Sequence, residues 1–377
     1  MEEGASSKNQ KFPHLLHLRS IRCFRYRLPL ARPVVIGGHS LTERQGFLIR
    51  CQSKEGATGW GEVAPLPGYT REGLSDAEQA LRLVSNTMQG RIVALEQILS
   101  GEISSGMTAA TPSVRFGFET ACLDLLSGPG RGFRHLLSQD YTNQILVNGL
   151  LHSLVLPSKG NLAEWSRAGM RVVKCKVGRT ELERESAWIL RLSERLPAGM
   201  KIRLDANRGW SLQQAIAFLR GIPSHSIEYV EEPVRDIGEL PELAKSTGVP
   251  IALDETVQER GADVFELGMT PAAIVLKPGA LPGIAATLRL GREAKDRGVE
   301  PVVSSLFESG IGILALTQLA ACLGGDRVSC GLDTCRMLKE DTFAPHFSPA
   351  GWKWDLQEID KAEFVVREDT IEELTGG

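Results

Sequence analysis

The sequence has no apolar stretch near the roughly 20 residues that span a bilayer. Its N-terminus is polar and partly acidic, without the apolar core of a secretory leader. A soluble, cytoplasmic protein is expected. Seven cysteines (Cys23, Cys51, Cys122, Cys175, Cys322, Cys330, Cys335) are odd in number, scattered and without a Cys-x-x-Cys pair. That excludes a zinc ribbon or redox dithiol and fits small core hydrophobes in a reducing compartment. The seven histidines (His14, His17, His39, His135, His152, His225, His346) are as dispersed, and surface or structural roles are expected for them. There is no Gly-x-Ser-x-Gly elbow for an acyl-enzyme, and Gly310-Ile311-Gly312 lacks the rest of a dinucleotide fingerprint. Nor is there a surplus of charge: 43 Lys and Arg against 46 Asp and Glu leave −3. That is no footprint for nucleic acid or an anionic membrane surface, so small-molecule partners are favoured.

What is present is a 377-residue chain that is 42 % hydrophobic, enough for two domains or a large barrel with an appendage. Residues 1–16 lack periodicity and read as a flexible tail. Residues 17–140 group strands (Leu18 to Tyr26, Gly46 to Cys51, Trp60 to Val63) ahead of helical patterns starting near Ser75 and Thr111-Pro112, which predicts an α+β domain. Residues 141–339 alternate short apolar strands with amphipathic helices. The expected strands are Ile145–Asn148, Val172–Val177, Lys201–Asn207, Ile227–Glu231, Pro250–Glu255, Ala273–Lys277, Pro301–Ser305 and Arg327–Asp333. Eight such units predict an α/β fold, a (β/α)8-type barrel capped by the N-terminal domain. Residues 340–377 add no further unit and should return to that capping domain.

In a parallel barrel, catalytic groups project from the C-terminal strand ends. Lys176, Asp205, Glu231, Asp254 and Lys277 fall at such ends, 29, 26, 23 and 23 residues apart, one βα unit per interval. Asp205, Glu231 and Asp254 on successive strands would make an oxygen-only site suited to Mg²⁺. Glu232 and Glu255, of opposite strand parity, should face away or sit behind the ligands. Lys174 and Lys176 share one face of a strand, and mutual repulsion should lower the pKa of one toward a general-base value. Arg203 shares the face of Asp205 and should lie below it, orienting a carboxylate or a lysine. A Schiff-base aldolase would use a strand-end lysine but leaves three carboxylates unexplained.

The strand-borne Lys-x-Lys, the three carboxylates and the later lysine resemble the enolase superfamily in its muconate-lactonizing subgroup. Gly59-Trp60-Gly61-Glu62-Val63-Ala64-Pro65-Leu66-Pro67-Gly68 is similar to that group's capping-domain signature. Arg203-Leu204-Asp205-Ala206-Asn207, Glu231-Glu232-Pro233, Ala252-Leu253-Asp254-Glu255 and Leu276-Lys277-Pro278 match its barrel motifs. Within it, Ser304 to Gly312 and Gly331-Leu332-Asp333-Thr334 most resemble the o-succinylbenzoate synthase family, with Leu306-Phe307 and Cys335-Arg336 as departures. The resemblance implies a dehydratase (a carbon–oxygen lyase) of menaquinone or phylloquinone synthesis. It would convert 2-succinyl-6-hydroxy-2,4-cyclohexadiene-1-carboxylate to 2-succinylbenzoate by syn-elimination of water. Mg²⁺ would be held by Asp205, Glu231 and Asp254, with Mn²⁺ as a substitute. Lys176 would act as base and then acid, Lys277 as a cation on the opposite face and Lys174 as tuner of Lys176; Arg203, Ser304, Ser305 and Gly331 would meet the carboxylate substrate. The rival on the same scaffold is an N-acylamino acid racemase or dipeptide epimerase with two lysine bases. The segment between Pro33 and Arg44 and the turn Pro65–Thr70 are expected to form a lid.

Overall fold

The computed structural model describes residues 15–103, 107–108, 110–151 and 155–374. Residues 1–14 of the expected tail, His14 and His152 lie outside them; Leu15 and Leu16 already belong to the first strand. All seven cysteines are buried and free.

Strands β1 (Leu15–Ile36), β2 (His39–Ser53) and β3 (Thr58–Val63) form an antiparallel meander. β4 (Ile92–Ala94) pairs with β1 at its start, and the C-terminal strand Ile371–Glu373 pairs with β1 across Phe24, Arg25 and Tyr26. In β1, Tyr26, Leu28 and Leu30 are buried while Arg25, Arg27 and Pro29 lie closer to solvent, the alternation of a half-covered strand. The helix Pro112–Ser127 opens on proline and is buried on nearly every side. It packs on β3 through glycine: a Cβ on Gly59 would come within 2.4 Å of the Ala121 carbonyl, and one on Gly61 within 1.9 Å of the Gly117 carbonyl. The two glycines of the Gly-Trp-Gly-Glu signature are therefore packing residues.

The second layer is a parallel sheet running β6 (Gly149–Leu151), β7 (Val172–Lys176), β8 (Lys201–Asp205), β9 (Ile227–Glu231), β10 (Ile251–Leu253), β11 (Ala273–Leu276) and β12 (Glu300–Val303). Helices such as Leu182–Ser193, Leu212–Arg220, Leu240–Thr247, Ile284–Asp296 and Gly310–Cys322 return the chain between strands. Inside the barrel, Tyr229, Ala252, Ala273, Val275, Val302 and Val328 pack together.

Two expected strands differ. Residues 145–148 do not open the ladder: β5 (Gln144–Leu146) pairs antiparallel with Lys353–Asp355, and the barrel ladder starts at Gly149. The expected strand Arg327–Asp333 is reduced to two parallel bridges, Val147 with Cys330 and Ser304 with Gly331. The pairing is confined to Cys330 and Gly331, whose backbone bonds reach Leu146 and Asn148 on one side and Val303 and Ser305 on the other, and a Cβ on Gly331 would meet Ser304 Oγ at 2.3 Å.

Candidate active site

Register places the chemistry. Lys176 is opposite Asp205, Asp205 opposite Glu231, and Glu231 opposite Ala252, two residues before Asp254. Because same-face residues recur every second position, all four reach one end of the barrel, with Lys277 just past β11. Asp205, Glu231 and Asp254 are buried to 0–1 % exposure. The lysines lie over them. Lys174 Nζ is 2.8 Å from Asp205 and 2.7 Å from Glu231, Lys176 Nζ is 2.5 Å from Asp205, and Lys277 Nζ is 2.6 Å from Asp254. The three lysines line a cavity of about 990 Å³ roofed by Arg32 to Gly38 of the β1–β2 hairpin and by Leu66, Gly68 and Tyr69.

Electrostatics correct one expectation. Burial disfavours the charged form of Lys174, but attraction from Asp205, Glu231 and Asp254 outweighs it, so the ammonium is held well above its ordinary pKa. Lys277 is raised as well, burial being outweighed by Asp254 and Glu255. Lys174 and Lys176 are not a bare repelling pair, because both donate to the same oxygen of Asp205. Burial opposes the ionised form of Asp205, yet those two ammoniums hold its carboxyl below the usual range. Burial and the charge of Asp205 push Glu231 up to about 8.

Among the described residues no three His, Cys, Asp or Glu side chains stand as a finished metal cage. The donor set nevertheless suits a hard divalent cation: three buried carboxylates, with no nitrogen or sulfur ligand among them. The strands fix the backbone of Asp205 and Glu231, and the carboxylate oxygens a cation would meet are held by the three lysines and the Tyr69 hydroxyl.

Ser304, Ser305 and Gly331 line the cavity; Ser305 Oγ is bonded to the Gly331 carbonyl (3.2 Å) and to Thr334 Oγ1. Arg203 does not line it. As its parity predicts, it sits a layer below Asp205, stacked 4.8 Å over Tyr229. Its guanidinium is consumed by Glu228 (2.6 Å), the Ser329 carbonyl (2.6 Å) and Asn148 Oδ1 (3.3 Å). The expected substrate contact is therefore corrected to a support for Asn148, which does face the cavity.

Glu232 lies behind Asp205, Glu231 and Asp254, as its parity suggests. It accepts hydrogen bonds from the backbone N–H of Asp254 (2.9 Å) and Thr256 (2.7 Å) and an ion pair from Arg208 (2.9 Å). Glu255, by contrast, is in the cavity wall, joined through Asn207 to Lys176 by bonds of 2.9 and 2.8 Å. It turns inward because the chain leaves strand geometry at Asp254, whose φ of −125° and ψ of −79° open the helix Glu255–Arg260. Burial, then Asp254, pushes its carboxyl up to about 7. Asn207, Arg208 and Glu232 all have positive φ (43°, 60° and 42°), strain at the strand ends that nothing in their residue types announces for Arg208 or Glu232. Tyr69, whose hydroxyl donates to Asp254 Oδ1 at 2.8 Å, was also silent in the sequence beyond its place in the turn.

Comparison with known proteins agrees with this geometry. The family described as MenC, N-terminal domain, matches residues 18–125, and Enolase C-terminal domain-like matches 160–356. The o-succinylbenzoate synthase of Pectobacterium atrosepticum is 34 % identical over 331 residues, covering 85 % of this chain and 92 % of its own. The chain belongs to the o-succinylbenzoate synthase family of the enolase superfamily. The o-succinylbenzoate synthase of Yersinia enterocolitica is 34 % identical over 327 residues, with the same coverage of 85 % and 92 %. Among solved structures, a dipeptide epimerase from Enterococcus faecalis, complexed with Mg and the dipeptide L-Leu-L-Tyr, superposes with a TM-score of 0.80. It is 22 % identical over 95 % of this chain and 100 % of its own, a likeness of fold. Like other members of its family, this chain is a dehydratase built on a capped barrel.

Proposed function

We propose that the site carries out the syn-elimination of water from 2-succinyl-6-hydroxy-2,4-cyclohexadiene-1-carboxylate to give 2-succinylbenzoate. The observation that carries this reading is the placement of Lys176 and Lys277 in the cavity. Lys176 reaches the carboxylates from β7 through Asp205, and Lys277 from β11 through Asp254. The proton to be removed is α to a carboxylate and is too weakly acidic to leave unless negative charge on that group is stabilised. Asp205, Glu231 and Asp254 would hold Mg²⁺, which supplies that stabilisation as a Lewis acid when bound. Lys176 takes the proton, breaking the C–H bond, and then delivers a proton to the departing hydroxyl as the C–O bond breaks, so one water leaves and the ring becomes aromatic. Lys277 contributes fixed positive charge from the other side. Asp333 lines the cavity but is paired with Arg336 at 2.7 Å, so it offers no free carboxylate for the ammonium of a dipeptide. This favours the dehydratase over the epimerase.

The test is purified protein with Mg²⁺, assayed against the cyclohexadiene carboxylate and against a panel of N-acylamino acids and dipeptides. Turnover of the first far above the others is expected, and the reverse order would reject the reading. Rigorous chelation should abolish activity, with recovery on adding Mg²⁺ or Mn²⁺. Full activity without metal would overturn the ligand assignment.

A further inference from the structure

The capping turn that follows β3 is built tightly. Leu66 accepts from the N–H of Tyr69 and Thr70 at 3.0 and 2.9 Å, and Thr70 Oγ1 accepts from the Leu66 N–H at 2.9 Å. The buried Arg44 donates to the Pro65 carbonyl (2.9 Å) and to that of Phe307 (3.2 Å), tying the turn to a barrel loop. Tyr69 leaves this turn toward the barrel and packs with Leu66, Ala280 and Leu306. Its ring and its hydroxyl then do different things. Lys277 Nζ sits 3.8 Å from the ring centroid, and the hydroxyl donates to Asp254 Oδ1 at 2.8 Å. Lys277 also donates to Asp254 Oδ2 at 2.6 Å, which closes a triangle of three side chains from two domains.

We propose that Tyr69 is a positioning residue of the reaction, its ring fixing the Lys277 ammonium and its hydroxyl fixing the Asp254 carboxylate. The inference rests on the roles given above to Lys277 and Asp254. An ammonium on a long flexible stem has many rotamers, and a cavity-lining lysine would sample several of them. A ring face on one side and a carboxylate on another leave it one place, and the attraction of the ring is strongest where water is scarce. A carboxylate that is to bind a metal with one oxygen needs its plane set, and hydrogen bonds from outside the ligand set do this in metalloenzymes generally. Tyr69 therefore gives the capping domain a direct hold on a metal-ligand candidate and on a charged group of the cavity. Gly68 strengthens the coupling. It has φ of +80° and a Cβ there would lie 2.2 Å from the Ile36 carbonyl, so the tip of the β1–β2 hairpin and the Tyr69 turn seat on the barrel together.

The two functions are separable by substitution. Tyr69→Phe keeps the ring and removes the hydroxyl, whereas Tyr69→Leu removes both and keeps an apolar side chain of similar bulk. Mg²⁺ affinity is read by titration calorimetry without substrate, and kcat and KM are read at saturating Mg²⁺. Tyr69→Phe should weaken Mg²⁺ about ten-fold, the low end for second partners of metal ligands, and leave kcat within about three-fold. Tyr69→Leu should weaken Mg²⁺ at least as much and lower kcat by a further ten-fold or so, the order expected from losing one desolvated cation–ring contact. Phenylalanine thus rescues what leucine loses. Unchanged Mg²⁺ affinity in Tyr69→Phe overturns the hydroxyl's role, and equal kcat in the two variants overturns the ring's. Melting curves confirm that each variant is folded; if leucine unfolds the turn, Tyr69→Met takes its place under the same two criteria. If the wild type fails to turn over the cyclohexadiene carboxylate, the proposed reaction falls, while the calorimetric comparison still decides the hydroxyl's part.

Discussion

Lys176, Lys277 and Lys174 all touch carboxylates, yet the groups around them predict three different losses on substitution. Lys176 donates to Asp205 and Asn207 and lines the cavity. With Lys176 acting as both base and acid, as proposed, Lys176→Ala should lower kcat by more than the roughly 10²–10⁴-fold typical of one acid–base group. Lys277→Arg keeps the charge and should retain measurable dehydration, whereas a two-base racemase would lose epimerisation outright. Solvent deuterium entering unreacted N-acylamino acid in a Lys277-dependent way would favour the racemase. Lys174 differs because it compensates two buried carboxylates, Asp205 and Glu231, at once. Lys174→Met leaves Asp205 and Glu231 without that partner, a loss of about 3 kcal/mol for a broken buried pair. A bound divalent cation would replace the missing charge, so the melting temperature of this variant should depend on Mg²⁺ far more steeply than that of the wild type. Equal responses to Mg²⁺ in the two proteins would show that a cation does not replace the Lys174 charge beside Asp205 and Glu231.

The β1–β2 hairpin and the β3 turn are joined at glycine. Gly68→Ala forces a side chain into a positive-φ position and against the Ile36 carbonyl, so the hairpin tip must lift from the turn. KM should rise several-fold, with a stability loss of about 1–2 kcal/mol from the left-handed backbone; unchanged KM would separate the hairpin from substrate binding. These elements also divide what was legible in the sequence from what was not. The barrel strands that carry Lys176, Asp205 and Glu231 were readable because apolar runs with one polar terminal residue recur once per βα unit, and strand parity then brings those residues onto one face. The extent of the last strand was not readable: Arg327–Asp333 has a strand's composition, but only Cys330 and Gly331 pair, as isolated bridges to Val147 and Ser304. Parity misplaced Glu255 for a related reason, since the strand ends at Leu253 and the next residues turn into a helix. The signature Gly59-Trp60-Gly61-Glu62 was recognisable, but its physical meaning was hidden. Its glycines admit the helix Pro112–Ser127, and Glu62 crosses to the barrel to accept from Ser309 N–H (2.9 Å) and Gly312 N–H (2.8 Å). Arg203 shows the limit of face-sharing arguments, because the same parity that puts Asp205 at the mouth buries Arg203 one layer beneath it.

At the scale of the molecule, the capping domain grips the barrel through buried carboxylates set at helix starts. Glu119 accepts from the Ile284 N–H at 2.6 Å, and Glu62 from the first turn of the helix Gly310–Cys322, where the positive end of the helix favours an anion. Tyr26 Oη also donates to Glu62 at 2.5 Å. Close to this contact lies Glu308, 2 % exposed; burial first and the neighbouring Glu62 second push its carboxyl from 4.5 up to about 7. A carboxyl whose pKa is higher folded than unfolded binds more protons in the native state, so its contribution to stability is complete below the unfolded value and declines as pH rises through the folded one. The window for Glu308 therefore runs from about pH 4.5 to about pH 7. Glu308→Gln keeps a hydrogen-bond acceptor for the Leu306 N–H and removes the titration. Denaturant unfolding at pH 5 and pH 8 should show the wild type losing stability relative to the variant as pH rises. The difference matters, because Glu231 and Glu255 titrate over neighbouring ranges in both proteins and cancel in it. Parallel pH dependence in the two would mean that Glu308 titrates as an ordinary exposed glutamate and adds nothing to the pH dependence of the contact between capping domain and barrel.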